Sequence, residues 1–168
     1  MAPPSPEVAL AISSQKALYG IYADTKQWHK WANDIALPDA RYIYVATDGK
    51  PLALGSKLTV FDTSKSCAAF FAGFFSQLQT LHNLGPGTID QVAPDEVHSI
   101  FSVEDQLYHK YLGTWMALRG GGFYYETWKL VDGKWYISEL KFERAYQKMT
   151  LLFKLFFLFF YLTGISPY

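Results

Sequence analysis

Apolar positions recur three and four residues apart early in the chain and every second residue later, so the pattern predicts helices followed by strands. Glu7 to Tyr22 carries Val8, Ala11, Ile12, Leu18 and Tyr22 at mostly helical spacing. Lys26 to Ile35 carries Trp28, Trp31 and Ile35, and Pro38 ends it. The period becomes two over Arg41 to Val45, a run closed by the turn-forming Thr47-Asp48-Gly49-Lys50. Helical spacing returns once, where Asp62-Thr63-Ser64 offers capping side chains to a stretch through Ala68, Phe71, Phe74, Phe75 and Leu78. Beyond it the chain reads as strands: Thr80 to Leu84, Gly87 to Val92, Glu96 to Leu112, Gly113 to Leu118, Phe123 to Val131 and Trp135 to Phe142. Gly85-Pro86-Gly87 separates the first two, Gly120-Gly121-Gly122 permits a bulge, and Asp132-Gly133 makes a tight hairpin. Helices first and an antiparallel meander afterwards predict an α+β domain. A curved sheet wrapped around the N-terminal helix would leave a cone open at one end, suited to a small hydrophobic ligand.

Composition narrows this picture. The 168 residues fit one domain, and a formal net charge of zero leaves no basic surplus for nucleic acid. Five Trp, twelve Tyr and thirteen Phe suggest a cavity walled with flat amphipathic rings. Cys67 has no partner for an internal disulfide and is expected in the core; it fits a reducing, cytoplasmic compartment. Residues 1–6 form a Pro-rich lead without the pattern of a secretion signal, residues 7–146 the folded domain, and residues 147–168 an apolar tail. Leu151 to Leu162 is nearly all Leu and Phe, yet twelve residues at ~1.5 Å each fall short of a bilayer core. It is a closing helix on the pocket mouth or on a neighbouring subunit, a membrane-surface helix, or a tail without a role.

Candidate chemistry is sparse. Asp24, in Asp24-Thr25-Lys26-Gln27-Trp28, sits at the joint of the first two helices, where it serves either as an acid–base group or as a helix cap. His82 lies in a strand between apolar neighbours and is either a proton shuttle or a satisfied structural residue. Alternation puts Gly122, Tyr124, Glu126 and Trp128 on one face, and Phe101, Asp105, Leu107 and His109 together on another. If its face is inward, Glu126 must be protonated or paired, with Arg41 or His109 as partners; if outward, it pairs with a surface lysine. Tyr44 and Tyr124 either donate to a substrate oxygen or pack as walls. His29 and His98 look like surface residues, and Trp28 and Trp31 like helix packing. No metal-ligand spacing, phosphate loop or Gly-x-Ser-x-Gly elbow is present, so no cofactor is expected.

The order of these elements resembles the SnoaL-like superfamily of cone-shaped α+β barrels, which includes scytalone dehydratase and the nuclear transport factors. Over roughly residues 15 to 145, several pieces are similar to scytalone dehydratase. Asp24-Thr25-Lys26-Gln27-Trp28 resembles its Asp-Ser-Lys-Asp-Trp, and Ala40-Arg41-Tyr42-Ile43-Tyr44 its Leu-Arg-Ile-Asp-Tyr. Thr80-Leu81-His82-Asn83-Leu84-Gly85 resembles its Thr-Gln-His-Phe-Ile-Gly, and Trp128 to Trp135 its Asp-Gly hairpin. The resemblance implies that Asp24 and His82 are catalytic, that Tyr44 helps hold a water, and that the face of Glu126 is inward. The departures set the chain apart from the namesake. Leu107 stands where a second catalytic histidine would fall, with His109 two residues on as its substitute. Ala23 replaces a tyrosine, with Tyr22 beside it, and Gly122 and Tyr124 replace a serine and an asparagine.

The implied function is a cofactor-independent lyase or isomerase that dehydrates, isomerises or cyclises polyketide or terpenoid intermediates of secondary metabolism. Asp24 and His82 would be the acid–base pair, and Glu126 or His109 the second proton-transfer group. Tyr22, Arg41, Tyr44, Phe101, Asp105, Leu107, Tyr124 and Trp128 would shape the substrate site. The family also implies a homodimer or homotrimer formed through the outer sheet face. The alternative is a non-catalytic carrier or oligomerising module of the same fold. Convergence of Asp24, His82 and Glu126 in one pocket separates the two.

Overall fold

Ser5 and Pro6 start the first helix: the serine side chain accepts from the Val8 amide at 3.3 Å, and proline needs no partner in the first turn. The computed structural model describes residues 4–54 and 57–163, so residues 1–3 of the expected lead lie outside the described residues. Helix α1 spans Pro6–Asp24, α2 Trp28–Asp34 and α3 Ser64–Phe74. The buried stripe of α1 is Ile12, Gln15, Lys16, Tyr19, Gly20 and Ala23, an i, i+3, i+4 ladder that includes a lysine and a glutamine. Hydrophobicity alone points instead to Val8, Ala11, Leu18 and Tyr22, which pack only at the margin of the core. The helix is rotated because its polar positions have buried partners. Gln15 Nε2 donates to the Trp135 carbonyl at 2.8 Å, and Lys16 meets Glu126.

The strands are β1 (Ala36–Val45), β2 (Ala53–Leu54), β3 (Lys57–Leu58), β4 (Val60–Phe61), β5 (Leu78–Ala93), β6 (Glu96–His109), β7 (Gly113–Val131) and β8 (Lys134–Met149). Six of them form a mixed sheet in the order β4-β1-β8-β7-β6-β5, in which only the β1–β8 pair is parallel. This is the expected α+β architecture: N-terminal helices lie on a mainly antiparallel sheet, followed by a C-terminal helix. Several boundaries differ from the sequence expectation. Pro38 does not end a helix; α2 stops at Asp34, and Pro38 sits where β1 shifts register against β8, a place that needs no amide donor. The strands expected on either side of Gly85-Pro86-Gly87 are one, because the interruption is absorbed as a bulge between Leu84 and Gly87. Strand β7 runs unbroken through the triple glycine, the extra residue of the register shift there being Ala145 on β8, and β8 runs past Phe142 to Met149. The Asp132-Gly133 turn forms as expected, with φ of 49° and 78°.

Helix α4 (Leu151–Thr163) packs on β7, with Phe153 buried and Phe157 set 6.2 Å from the Phe74 ring. Its other side exposes Leu151, Leu155, Leu158, Tyr161 and Leu162. Among the described residues no helix is long and apolar enough to cross a membrane.

Candidate active site

Asp24 is the last helical residue of α1, a position where a carboxylate meets the negative end of the helix dipole and needs donors from elsewhere. Strand β5 supplies them. Thr80 Oγ1 donates to Asp24 Oδ1 at 2.8 Å, the His82 amide donates to Oδ2 at 2.8 Å, and His82 Nδ1 lies 2.7 Å from Oδ1. The helix-cap reading of Asp24 therefore fails: the residue preceding α2 is Gln27, whose side chain makes no cap bond. Burial pushes the Asp24 carboxyl up, but the hydrogen bonds and charge of His82, with Thr80, outweigh it and hold the carboxyl below its ordinary value. An ionised Asp24 selects the His82 tautomer with the proton on Nδ1. That leaves Nε2 as a base, with no hydrogen-bond partner among the described residues.

His82 opens onto a cavity of about 80 Å³ between the helices and the concave sheet. Tyr19, Tyr44 and Tyr124 line it, together with Trp28, Trp31, Phe71, Phe75 and Phe157. The Tyr19 and Tyr44 hydroxyls lie 3.2 Å apart, and Tyr44 reaches Cys67 Sγ at 3.7 Å. Burial holds the Tyr19, Tyr44 and Tyr124 phenols above their ordinary value, so they stay neutral donors.

The strands beside His82 carry a second polar group. Asp105 is the cross-strand partner of His82 on β6, and Gly120 is the partner of Asp105 on β7. Arg144 reaches over Gly120 from β8 and binds Asp105 bidentately, at 2.8 and 2.6 Å. A side chain on Gly120 would put its Cβ 2.0 Å from Arg144 Nη1, so the glycine leaves the space that the guanidinium fills. Arg144 Nε is buried without a partner.

The structure thus brings Tyr44, His82, Asp105, Leu107 and Tyr124 to one cavity, with Asp24 behind His82. The other expected positions lie elsewhere. Glu126 is inward and buried, but its partners are Lys16 and Ser99 (3.0 Å) in a pocket of the core below the cavity, not Arg41 or His109. Trp128 belongs to that network, donating from Nε1 to Ser99 Oγ at 2.9 Å, and Phe101 is buried in the core. Arg41 is exposed and faces Asp62 at 3.8 Å. Tyr22 lies half-buried outside the cavity, with Lys30 5.8 Å from its ring. His109 keeps the strand parity of Asp105 and Leu107 but ends β6, half-buried and outside the cavity lining; its Nδ1 accepts from the Tyr111 amide at 3.3 Å. His29 and His98 are exposed as expected, whereas Trp28 and Trp31 are cavity walls as well as helix packing. Sequence reasoning missed Tyr19, Thr80 and Arg144. Arg144 shares strand parity with Leu140 and Phe142, a signal hidden by ending β8 too early. Among the described residues, no three His, Cys, Asp or Glu side chains converge as metal ligands.

Comparison with known proteins places this geometry. The SnoaL-like domain family matches residues 7–141. The probable cyclase FGR4 of Gibberella zeae is 37% identical over 145 residues, covering 86% of this chain and 96% of that protein. Solved structures of similar shape show the same fold at low identity. A candidate scytalone dehydratase from Novosphingobium aromaticivorans superposes with a TM-score of 0.67 at 17% identity, covering 82% of this chain and 84% of that one. The hexachlorocyclohexane dehydrochlorinase LinA-type3 from Novosphingobium barchaimii does so with a TM-score of 0.66 at 16% identity, covering 84% and 89%. On the extent of the family match and the length of the shared sequence, the chain belongs to the SnoaL-like domain family.

Proposed function

We propose that this protein is a cofactor-independent acid–base enzyme, a cyclase, dehydratase or isomerase acting on a small hydrophobic substrate. Glu126 does not converge with Asp24 and His82, which counts for the non-catalytic alternative; the enzyme reading rests on the Asp24–His82 pair, at 2.7 Å, whose histidine opens into an aromatic cavity. In this reading His82 Nε2 takes a proton from substrate carbon or oxygen, and Asp24 stabilises the resulting imidazolium through Nδ1. The same proton then returns. Delivered to a leaving hydroxyl it yields water and a double bond; delivered to another carbon or oxygen it completes an isomerisation or ring closure. The neutral Tyr19 and Tyr44 hydroxyls donate to a carbonyl oxygen on which negative charge develops. The cyclase relative, matched over nearly its whole length, favours ring closure, and the aromatic walls suit a polyketide or terpenoid intermediate of secondary metabolism.

The test is incubation with such intermediates and a mass readout. Loss of one water indicates dehydration, and unchanged mass with shifted retention indicates isomerisation or cyclisation. Asp24→Asn and His82→Ala should each lower turnover by ~10² to 10⁴ while circular dichroism and melting stay as in wild type. Full activity in both variants would end this assignment.

A further inference from the structure

Lys26 occupies a backbone position that disfavours it. Its amide donates to the Ala23 carbonyl at 3.2 Å and the Gln27 amide to the Tyr22 carbonyl at 2.8 Å, the bond pair of a Schellman helix end. In that motif the residue at Lys26 takes a left-handed conformation, here with φ of 61°, which glycine adopts freely and a residue with a Cβ does not. The side chain shows what the lysine is for. The left-handed turn folds it back beneath Asp24, where Nζ donates to Thr80 Oγ1 at 2.6 Å, and Thr80 in turn donates to Asp24 Oδ1 at 2.8 Å. A chain of hydrogen bonds therefore runs Lys26–Thr80–Asp24–His82.

We propose that Lys26 is a positioning residue of the acid–base pair, holding Asp24 as an oriented carboxylate through Thr80 and opposing, by its own charge, a second positive charge on the His82 imidazole. The proposal rests on the reading of Asp24 and His82 as that pair. The groups facing the ammonium are Asp24 on α1, Thr80 on β5, the Phe75 ring at 5.0 Å after α3, and the charge of Lys110 beyond β6; His82 is reached through Thr80 and Asp24. Burial lowers Lys26 to about 8, with Asp24 opposing and Lys110 adding to the drop. Lys26 is therefore charged at neutral pH and discharges a little above it. While charged it disfavours a second positive charge on His82, so removing that charge favours the imidazolium.

The test uses the full chain with Lys26→Gly, Lys26→Met and Lys26→Arg. The His82 imidazole is followed by NMR and assigned among the four histidines with His82→Ala. Lys26→Gly should raise the melting temperature by about 2–4 °C, because glycine suits the helix end. It should nevertheless raise the His82 titration point by about 0.5 to 1, as should Lys26→Met. Lys26→Arg should keep the wild-type titration point below pH 8 and remove any inflection near 8, because guanidinium stays charged. A His82 titration in Lys26→Gly and Lys26→Met indistinguishable from wild type overturns the proposal, whatever the melting temperatures. The titration is read without turnover, so failure of the acid–base reading, seen as full activity in His82→Ala, remains a separate result.

Discussion

Replacing Lys16 by methionine removes the ammonium group that neutralises Glu126 in the core. Both residues are nearly inaccessible, at 1% and 4% exposure, and Glu126 keeps only the Ser99 hydroxyl when the lysine is gone. Lys16 Nζ also lies 3.6 Å from the Tyr124 ring centroid and 4.1 Å from that of Tyr19, so the cation braces two cavity walls from behind. Stranding one member of a buried pair costs ~3–5 kcal/mol. In a domain of this size each kcal/mol moves the melting temperature by ~2–4 °C, so Lys16→Met should melt about 6–20 °C lower. The double variant Lys16→Met/Glu126→Leu replaces the pair by apolar groups of similar length. It should return to within about 1–2 kcal/mol of wild type, the residue being the Ser99 hydroxyl left without its acceptor. Urea unfolding followed by tryptophan fluorescence at one pH gives the four corners of the cycle, provided the slopes agree. A single-variant cost below about 1 kcal/mol, or a double variant no better than the sum of the singles, would refute the argument that the pair is mutually dependent.

Gly120 and Gly49 make a contrasting pair. A Cβ at Gly120 collides with Arg144 and Asp105, whereas at Gly49 it meets nothing within 4 Å but must adopt a φ of 80°. Gly120→Val should therefore cost ~3–5 kcal/mol by displacing a buried ion pair and should lower turnover more than tenfold, against ~1 kcal/mol for Gly49→Ala; equal costs in urea unfolding would contradict this. Cys67 is fully buried and its thiol is pushed up by that burial, so native protein at pH 8 should resist maleimide except as it unfolds. Labelling that is fast in the absence of urea would contradict the placement.

The periodicity was sufficient for the order of the first three helices and the five long strands, because each buries one face and the period of that face is written in the chain; it missed β2, β3 and β4, two-residue strands too short to show a period. It failed where strands continue through glycine and proline, by a bulge at Gly85-Pro86-Gly87 and without interruption at Gly120-Gly121-Gly122. It failed in α1 for a different reason: Lys16 and Gln15 are buried only because their partners, Glu126 and Trp135, lie more than a hundred residues away.

Local sequence thus determined the α+β class, the Asp-Gly hairpin and the shared face of Asp105 and Leu107, while the family resemblance picked out Asp24 and His82. Only the tertiary structure decided that Asp24 turns to β5 instead of capping α2, and that Glu126 is tied to Lys16 below the cavity. The same holds for Arg144, which stands over a glycine two strands from the histidine. Charged groups are buried where a partner makes burial tolerable, and partners are chosen by the register of strands distant in the chain.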